Sequence, residues 1–274
     1  MLLQYNEQGD SRVAALLPRT SRFSRADFSG HAAGYAKTIR EQVVAANFDY
    51  IFVLSSLNRD FNVNRILRYL TQAATSGGQP VVILTKADLA GDIPTGSDEI
   101  RAAAAGVPVH AVSARTGVGM DALGAYLQPG KTVVFLGMSG VGKSTLLNAL
   151  MERDVMAVKE VRESDSRGRH TTTHRQLFML PSGAMVIDTP GMRELGLFGA
   201  EDGIRESYAD VEALFGQCRF NNCRHLSEPG CAVLAALAGG ALPAERWENY
   251  RAQQRENVFV NRRTKKPPKS GRKK

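Results

Sequence analysis

From residue 47 onward, short apolar runs alternate with longer amphipathic stretches. Tyr50 to Leu54 is an unbroken apolar run of strand length, Asn62 to Ala74 repeats apolar positions at helical spacing, Ser76 to Pro80 reads as a turn, and Val81 to Leu84 is a second apolar run. Continuously apolar strands separated by a helix predict a parallel sheet covered on both faces. The rhythm continues through a strand at Val107 to Val112, a helix at Met120 to Leu127, a strand at Thr132 to Leu136 and a helix starting at Ser144 and running to Leu150. His174 to Leu180 and Ala184 to Ile187 then flank Pro181-Ser182-Gly183, which predicts a hairpin. Beyond Gly191 the pattern turns helical, with Tyr208 to Phe215, Val233 to Leu237 and Glu245 to Glu256. The first 45 residues are less regular. Arg12 to Leu17 alternates weakly as a strand that Pro18 ends, and Ser21 to Gly30 reads as basic and turn-rich.

Composition narrows the class of protein. With 274 residues and 43% apolar content the chain can bury a sizeable core in one large or several small domains. There is no run of about eighteen apolar residues and no apolar leader in the first thirty, so a cytoplasmic protein without membrane contact is expected. The formal charge of +8 resides at the C-terminal end: Arg262, Arg263, Lys265, Lys266, Lys269, Arg272, Lys273 and Lys274 stand without an acid, and without them the body holds 27 bases against 27 acids. A solvated basic block of this kind fits a polyanion, RNA before membrane, because no amphipathic helix accompanies it.

The chemistry is concentrated in a few motifs. Gly137-Met138-Ser139-Gly140-Val141-Gly142-Lys143-Ser144-Thr145 fits G-x-x-x-x-G-K-[ST] in its required setting, after an apolar strand and opening a helix. Such a loop turns backbone N–H groups inward around a phosphate at a helix N-terminus, with Lys143 reaching the β and γ phosphates and Ser144 ligating Mg²⁺. Thr85-Lys86-Ala87-Asp88 fits the guanine-recognition pattern [NT]-K-x-D. A carboxylate there accepts from the ring N–H and exocyclic amine of guanine, whereas adenine offers an acceptor at its ring nitrogen. Ser113-Ala114 matches the loop that supplies a backbone N–H to the guanine carbonyl. Gly168 to Thr173, with His170 and Thr172, reads as a switch whose threonine completes the Mg²⁺ shell, and Asp188-Thr189-Pro190-Gly191 is D-x-x-G, with Asp188 acting on Mg²⁺ and the Gly191 N–H sensing the γ phosphate.

These motifs stand in an unusual order, because the base-recognising half (47–127) precedes the phosphate half (132–191). That order is circularly permuted relative to a GTPase whose phosphate loop comes first, a change tolerated when domain termini lie close together. Further along, Cys218, Cys223, His225 and Cys231 form C-x4-C-x-H-x5-C, three thiols and an imidazole suited to one closed, structural Zn²⁺. Arg246, Arg251 and Arg255 with Trp247 and Tyr250 either line an RNA surface or, for Trp247, anchor a core.

The permuted order followed by this cysteine pattern closely resembles the RsgA (YjeQ) family of circularly permuted bacterial GTPases, over about residues 10 to 260. The resemblance implies an α/β fold: a circularly permuted P-loop GTPase domain (46–198), a partial N-terminal OB-like segment (1–45), a C-terminal α-helical zinc-binding domain (199–261) and a basic disordered tail (262–274). The 45 N-terminal residues are fewer than a five-stranded OB barrel needs, so only its last part is expected. It also implies a monomer that binds GTP and GDP with Mg²⁺, contacts the small ribosomal subunit and its rRNA, and hydrolyses GTP under the subunit's stimulation. Family members carry an apolar residue where Ras-like enzymes place a water-orienting glutamine, and here Met192 follows Gly191. Lys143 and Thr172 are then catalytic candidates; His170 either stands in for the glutamine, because imidazole can hold a water, or, like His174, only packs or contacts RNA. The rival readings are a GTP-switched RNA-binding module with negligible turnover, and an ATPase or small-molecule kinase, which Asp88 opposes.

Overall fold

The computed structural model describes residues 2–10, 12–16, 18–28, 39–58, 61–91, 93–104, 106–156, 175–192 and 195–264. Its centre is a six-stranded sheet. The strands are β5 (Tyr50–Ser56), β6 (Gln79–Thr85), β7 (Val109–Ala111), β8 (Thr132–Gly137), β9 (Gln176–Met179) and β10 (Met185–Asp188), in the order β7-β6-β5-β8-β10-β9. Only β9 runs antiparallel, as the return arm of the hairpin with β10. The expected parallel sheet is thereby found. Both faces are apolar, as alternate residues require. Ile51, Val53, Val82, Leu84, Val134 and Leu136 face one core, and Phe52, Leu54, Val81, Ile83, Val133 and Phe135 face the other.

Helices cover each face. On the first lies α1 (Val63–Ala74), whose start is fixed by Asn62: its side chain accepts the Arg65 N–H at 2.8 Å, and Ile66, Leu67 and Leu70 turn inward. On the second lies α3 (Lys143–Met151), burying Leu146 and Leu147. Between them in sequence, α2 (Ile93–Ala103) is a helix that the apolar pattern alone did not reveal, because it opens on Pro94-Thr95-Gly96-Ser97. The helix expected at Met120 to Leu127 is instead a 3₁₀ turn over Met120–Ala125.

At the N-terminal end, β1 (Leu2–Gln4) pairs with β2 (Arg12–Ala15), and β3 (Arg22–Asp27) pairs with β4 (Arg40–Ala46). The basic turn-rich stretch at Ser21 to Gly30 is therefore corrected: its first half is a strand. Its polar residues are matched across the ladder, Ser24 Oγ to Glu41 at 2.6 Å and Arg25 Nε to Gln42 at 2.7 Å, while Phe23 enters the first core fully buried. After the sheet, α4 (Glu201–Ser207), α5 (Ala209–Glu212), α6 (Ala232–Ala238) and α7 (Ala244–Thr264) surround a separate core of Ile204, Tyr208, Val211, Val233, Trp247 and Tyr250. Helix α7 runs on through Arg262 and Arg263, which the sequence pattern had assigned to the tail.

Candidate functional site

The central strand β8 delivers the chain to its C-terminal edge, and α3 starts six residues later at Lys143. Gly140 and Gly142, at φ +83° and +97°, adopt the left-handed region that only glycine enters without strain. Among the described residues no side chain caps α3, which leaves the amides of its first turn for an anion. Lys143 is almost wholly buried and folds back on the loop, its Nζ donating to Gly137 O at 3.0 Å and Met138 O at 2.7 Å. Burial pulls its pKa down to about 8, against the opposing pull of the Asp188 carboxylate. Ser144 and Thr145 follow it, half-buried, in the first turn.

Asp188 ends β10 beside Phe135 of β8 and is fully buried. The loop after it is bolted to β8 and to the start of the phosphate loop: Thr189 Oγ1 donates to Phe135 O at 2.6 Å and the Met192 N–H to Gly137 O at 3.1 Å. A Cβ added at Gly191 would lie 2.5 Å from the Ser139 nitrogen, so only glycine lets this backbone meet the loop. The sheet thus brings Ser139, Lys143, Asp188 and Gly191 to one place.

The base-recognition motifs converge on the neighbouring edge. Asp88, exposed on a 3₁₀ turn, accepts from the Ser113 hydroxyl at 2.7 Å, which ties T-K-x-D to Ser113-Ala114. Lys86 holds a left-handed φ of +59°. The Thr85 hydroxyl is turned inward, donating to Val141 O of the phosphate loop, a link between the two halves of the site that the motif pattern does not disclose. Gly119 is demanded by close approach, since a Cβ there would meet Ala111 O at 2.2 Å. His170 and Thr172 lie outside the described residues. Met192 is buried and packs in the first core with Tyr69 and Leu195, its side chain lodged among apolar neighbours.

In the C-terminal unit the ligand atoms of Cys218, Cys223, His225 and Cys231 lie within 4.8 Å of one another. His225 Nδ1 is 3.6 Å from Cys218 Sγ and 3.4 Å from Cys231 Sγ. Three thiols and one imidazole, converging with no carboxylate of the described residues in the group, fit a tetrahedral Zn²⁺. The imidazole is held by Phe215, stacked at 4.5 Å, and by the edge of Trp247 at 5.8 Å. Glu228, which sequence reasoning missed, closes the knuckle by accepting the N–H groups of Arg224 and Leu226 at 2.8 Å and Ser227 at 3.1 Å. Those donors hold its carboxyl down at about 2. Trp247 and Tyr250 are buried, and Arg246 is engaged by Asp210 and stacked 4.9 Å over Tyr208, so these three serve the core, while Arg251 and Arg255 are exposed.

Among the described residues no helix is long and apolar enough to cross a membrane. A family model described as RsgA GTPase matches residues 16–198. Small ribosomal subunit biogenesis GTPase RsgA 1 of Listeria innocua is 45% identical over 254 residues, covering 93% of this chain and 71% of its own. The protein named small ribosomal subunit biogenesis GTPase RsgA in Streptomyces avermitilis is 48% identical over 260 residues, covering 93% and 68%. Among solved structures, YjeQ from Thermotoga maritima is 26% identical with a TM-score of 0.59, covering 93% of this chain and 82% of its own. YloQ, described as a circularly permuted GTPase, is 25% identical with a TM-score of 0.55, covering 97% and 80%. With the base-recognition strands β5 to β7 preceding the phosphate-loop strand β8 in one sheet, and with relatives of this identity along nearly its whole length, the chain belongs to the RsgA family of circularly permuted GTPases.

Proposed function

We propose that this chain is a Mg²⁺-dependent GTP hydrolase that assists late maturation of the small (30S) ribosomal subunit in the cytoplasm, working as a monomer that binds rRNA and is stimulated by the subunit. The observation that carries the reading is the junction of Asp88 and Ser113 with a phosphate loop that Gly191 abuts, one site offering guanine selectivity and γ-phosphate contact together. Asp88 accepts from the guanine ring N–H and amine, and Lys86 and Ala114 frame the base. Val141, Gly142 and the first-turn amides of α3 wrap the phosphates. On nucleotide binding, Lys143 exchanges its two loop carbonyls for phosphate oxygens, so its charge lies where negative charge grows during transfer. Ser144, Asp188 and, from outside the described residues, Thr172 would hold Mg²⁺; the buried Asp188 carboxylate beside Lys143 fits that role. When bound, Mg²⁺ neutralises charge shared by the β and γ phosphates. Cys218, Cys223, His225 and Cys231 would hold one structural Zn²⁺.

The test is steady-state hydrolysis of GTP and ATP, alone and with purified small or large subunits. Stimulation by orders of magnitude with GTP and small subunits alone is expected; equal rates with ATP or with large subunits would defeat the reading. A second reading, a GTP-switched RNA-binding module with negligible turnover, is favoured by Met192, whose buried thioether orients no water. His170 is the remaining candidate for that task. Tight GTP binding without stimulated turnover would select the module.

A further inference from the structure

The six residues after Met192 that the structure describes, Leu195 to Ala200, run between α1 and α7, and their backbone polar groups are bound by side chains of both. From α1, Arg68 Nε donates to Leu195 O at 2.7 Å, and Gln72 makes a reciprocal pair with Phe198, donating to its carbonyl at 3.0 Å and accepting its N–H at 2.8 Å. From α7, Glu256 accepts the Leu197 N–H at 2.9 Å and Asn257 accepts the Ala200 N–H at 3.3 Å. The two helices are joined to each other through the same residues, because one Arg68 amino group reaches both oxygens of Glu256 at 2.6 Å. Beside Arg68 on α1, the Tyr69 hydroxyl donates to Met192 O at 3.2 Å, next to Gly191. A buried backbone segment is thereby read out by one helix from the base-recognising half and one from beyond the zinc cluster.

We propose that Arg68 and Glu256 are positioning residues for GTP hydrolysis: they hold the segment after D-x-x-G between α1 and α7, so that the placement of α7 sets the placement of Gly191 against the phosphate loop. This rests on the GTPase reading above and adds to it the route by which the zinc-bearing unit acts on the site. The geometry allows little slack on the nucleotide side, where Gly191 already touches Ser139. On the α7 side it allows more. A cleft of about 880 Å³ lies against the junction, lined by Arg68, Leu195 and Glu256 among others, and two buried amide atoms there, Gln253 Oε1 and Asn249 Nδ2, have no protein partner. A shift of α7 together with its own core would break the Glu256 and Asn257 bonds, the Asn64–Glu245 bond and the packing of Val260 on Ala26 and Ile39. A docked RNA or protein that shifts α7 would be felt at Gly191, and the loss of the γ phosphate would be felt at α7.

The experiment compares the full chain with its Arg68→Ala, Glu256→Ala and Glu256→Gln variants and with the charge swap Arg68→Glu/Glu256→Arg. It measures kcat and KM for GTP, GDP affinity, zinc content and Tm. Misplacing a γ-phosphate contact predicts kcat lower by about 10- to 100-fold with KM and GDP affinity nearly unchanged. Glu256→Gln, which keeps an acceptor for Leu197, should recover much of that loss. The swap is the discriminating variant: it restores an ion pair and hence Tm, but a glutamate at position 68 cannot donate to Leu195 O, so kcat stays low. Recovery of kcat in the swap, or losses of kcat that merely follow Tm, would overturn the proposal. If the parent chain hydrolyses no GTP even with subunits, the GTPase reading fails on its own. The coupling is then judged by hydrogen exchange: α7 amides protected differently with a GTP analogue and with GDP, and alike in Arg68→Ala, support it, and identical protection in the parent chain refutes it.

Discussion

Lys143 carries a positive charge into a nearly dry site, and the cost is written in its titration. An exposed lysine would keep its proton to about 10.5, but burial brings this one to about 8. The folded, ligand-free protein releases this proton first, while bound phosphates favour the ammonium, so GDP binding takes up a proton and its affinity falls as pH rises from about 8 toward 10.5. Affinity measured across that range, with proton uptake read by calorimetry in buffers of different ionisation enthalpy, checks this; a flat profile up to pH 10 contradicts it. The same depressed pKa makes the charge a destabilising feature below pH 8 that is relieved between 8 and 10.5. At Asp88 the expectation concerns selectivity. Asp88→Asn puts an amide donor or a neutral oxygen where two guanine donors point, costing about 1.5–3 kcal/mol, roughly 10- to 100-fold in GTP affinity, with little change toward ATP. Competition binding with both nucleotides would reveal it.

Elements explain which residues the sequence disclosed and which it withheld. The phosphate loop, T-K-x-D, D-x-x-G and the cysteine pattern are legible because each packs its chemistry within one strand-to-helix turn or knuckle, where local spacing and geometry coincide. Helix α1 was equally legible, although Asn62, expected as its first residue, is the cap one position before it. Arg68, Gln72 and Glu256 were not, because their backbone partners lie far along the chain, Leu195 at 127 residues from Arg68, Phe198 at 126 from Gln72 and Leu197 at 59 from Glu256. The same holds for Thr85, whose place in the guanine motif concealed that its hydroxyl points at Val141. Trp247 illustrates the converse, since an aromatic among arginines suits either RNA or a core, and only the packing around Phe215 and Tyr250 decides for the core. Glu228 belongs to this scale as well. Its folded-state pKa of about 2 lies below an ordinary glutamate's, so its contribution is complete above about pH 4.5 and fades as pH falls toward 2. Glu228→Gln removes the charge from three N–H bonds, and zinc should then leave to a colorimetric chelator several-fold faster at neutral pH, with the GTPase sheet unaltered.

For the whole molecule, the proposed coupling makes the Cys218–Cys231 cluster and the nucleotide site one mechanical object. Structural zinc contributes directly to folding of small units, so a strong chelator should melt the helical core around Tyr208 and Trp247. Because α7 packs on that core, the treated protein should still bind GDP through Asp88 and the phosphate loop yet hydrolyse GTP more slowly, by a factor like that of Arg68→Ala. Metal readdition should restore both. Retained kcat in zinc-free protein would show the two sites to be independent.

The permuted order of strands also bears on how the chain is made. Tyr50 of β5 pairs with Val133 of β8, about 80 positions later. At about 5–20 residues per second, a ribosome leaves the nascent β5 without that partner for roughly 4–16 s. During that time the edge of what becomes the sheet's middle stands open, a hazard for misassociation that an unpermuted chain meets elsewhere. Glu256 and Asn257, which bind the backbone of Leu197 and Ala200, are translated after all of the GTPase motifs, so under the proposed coupling a newborn copy would hold GTP before it could use it well.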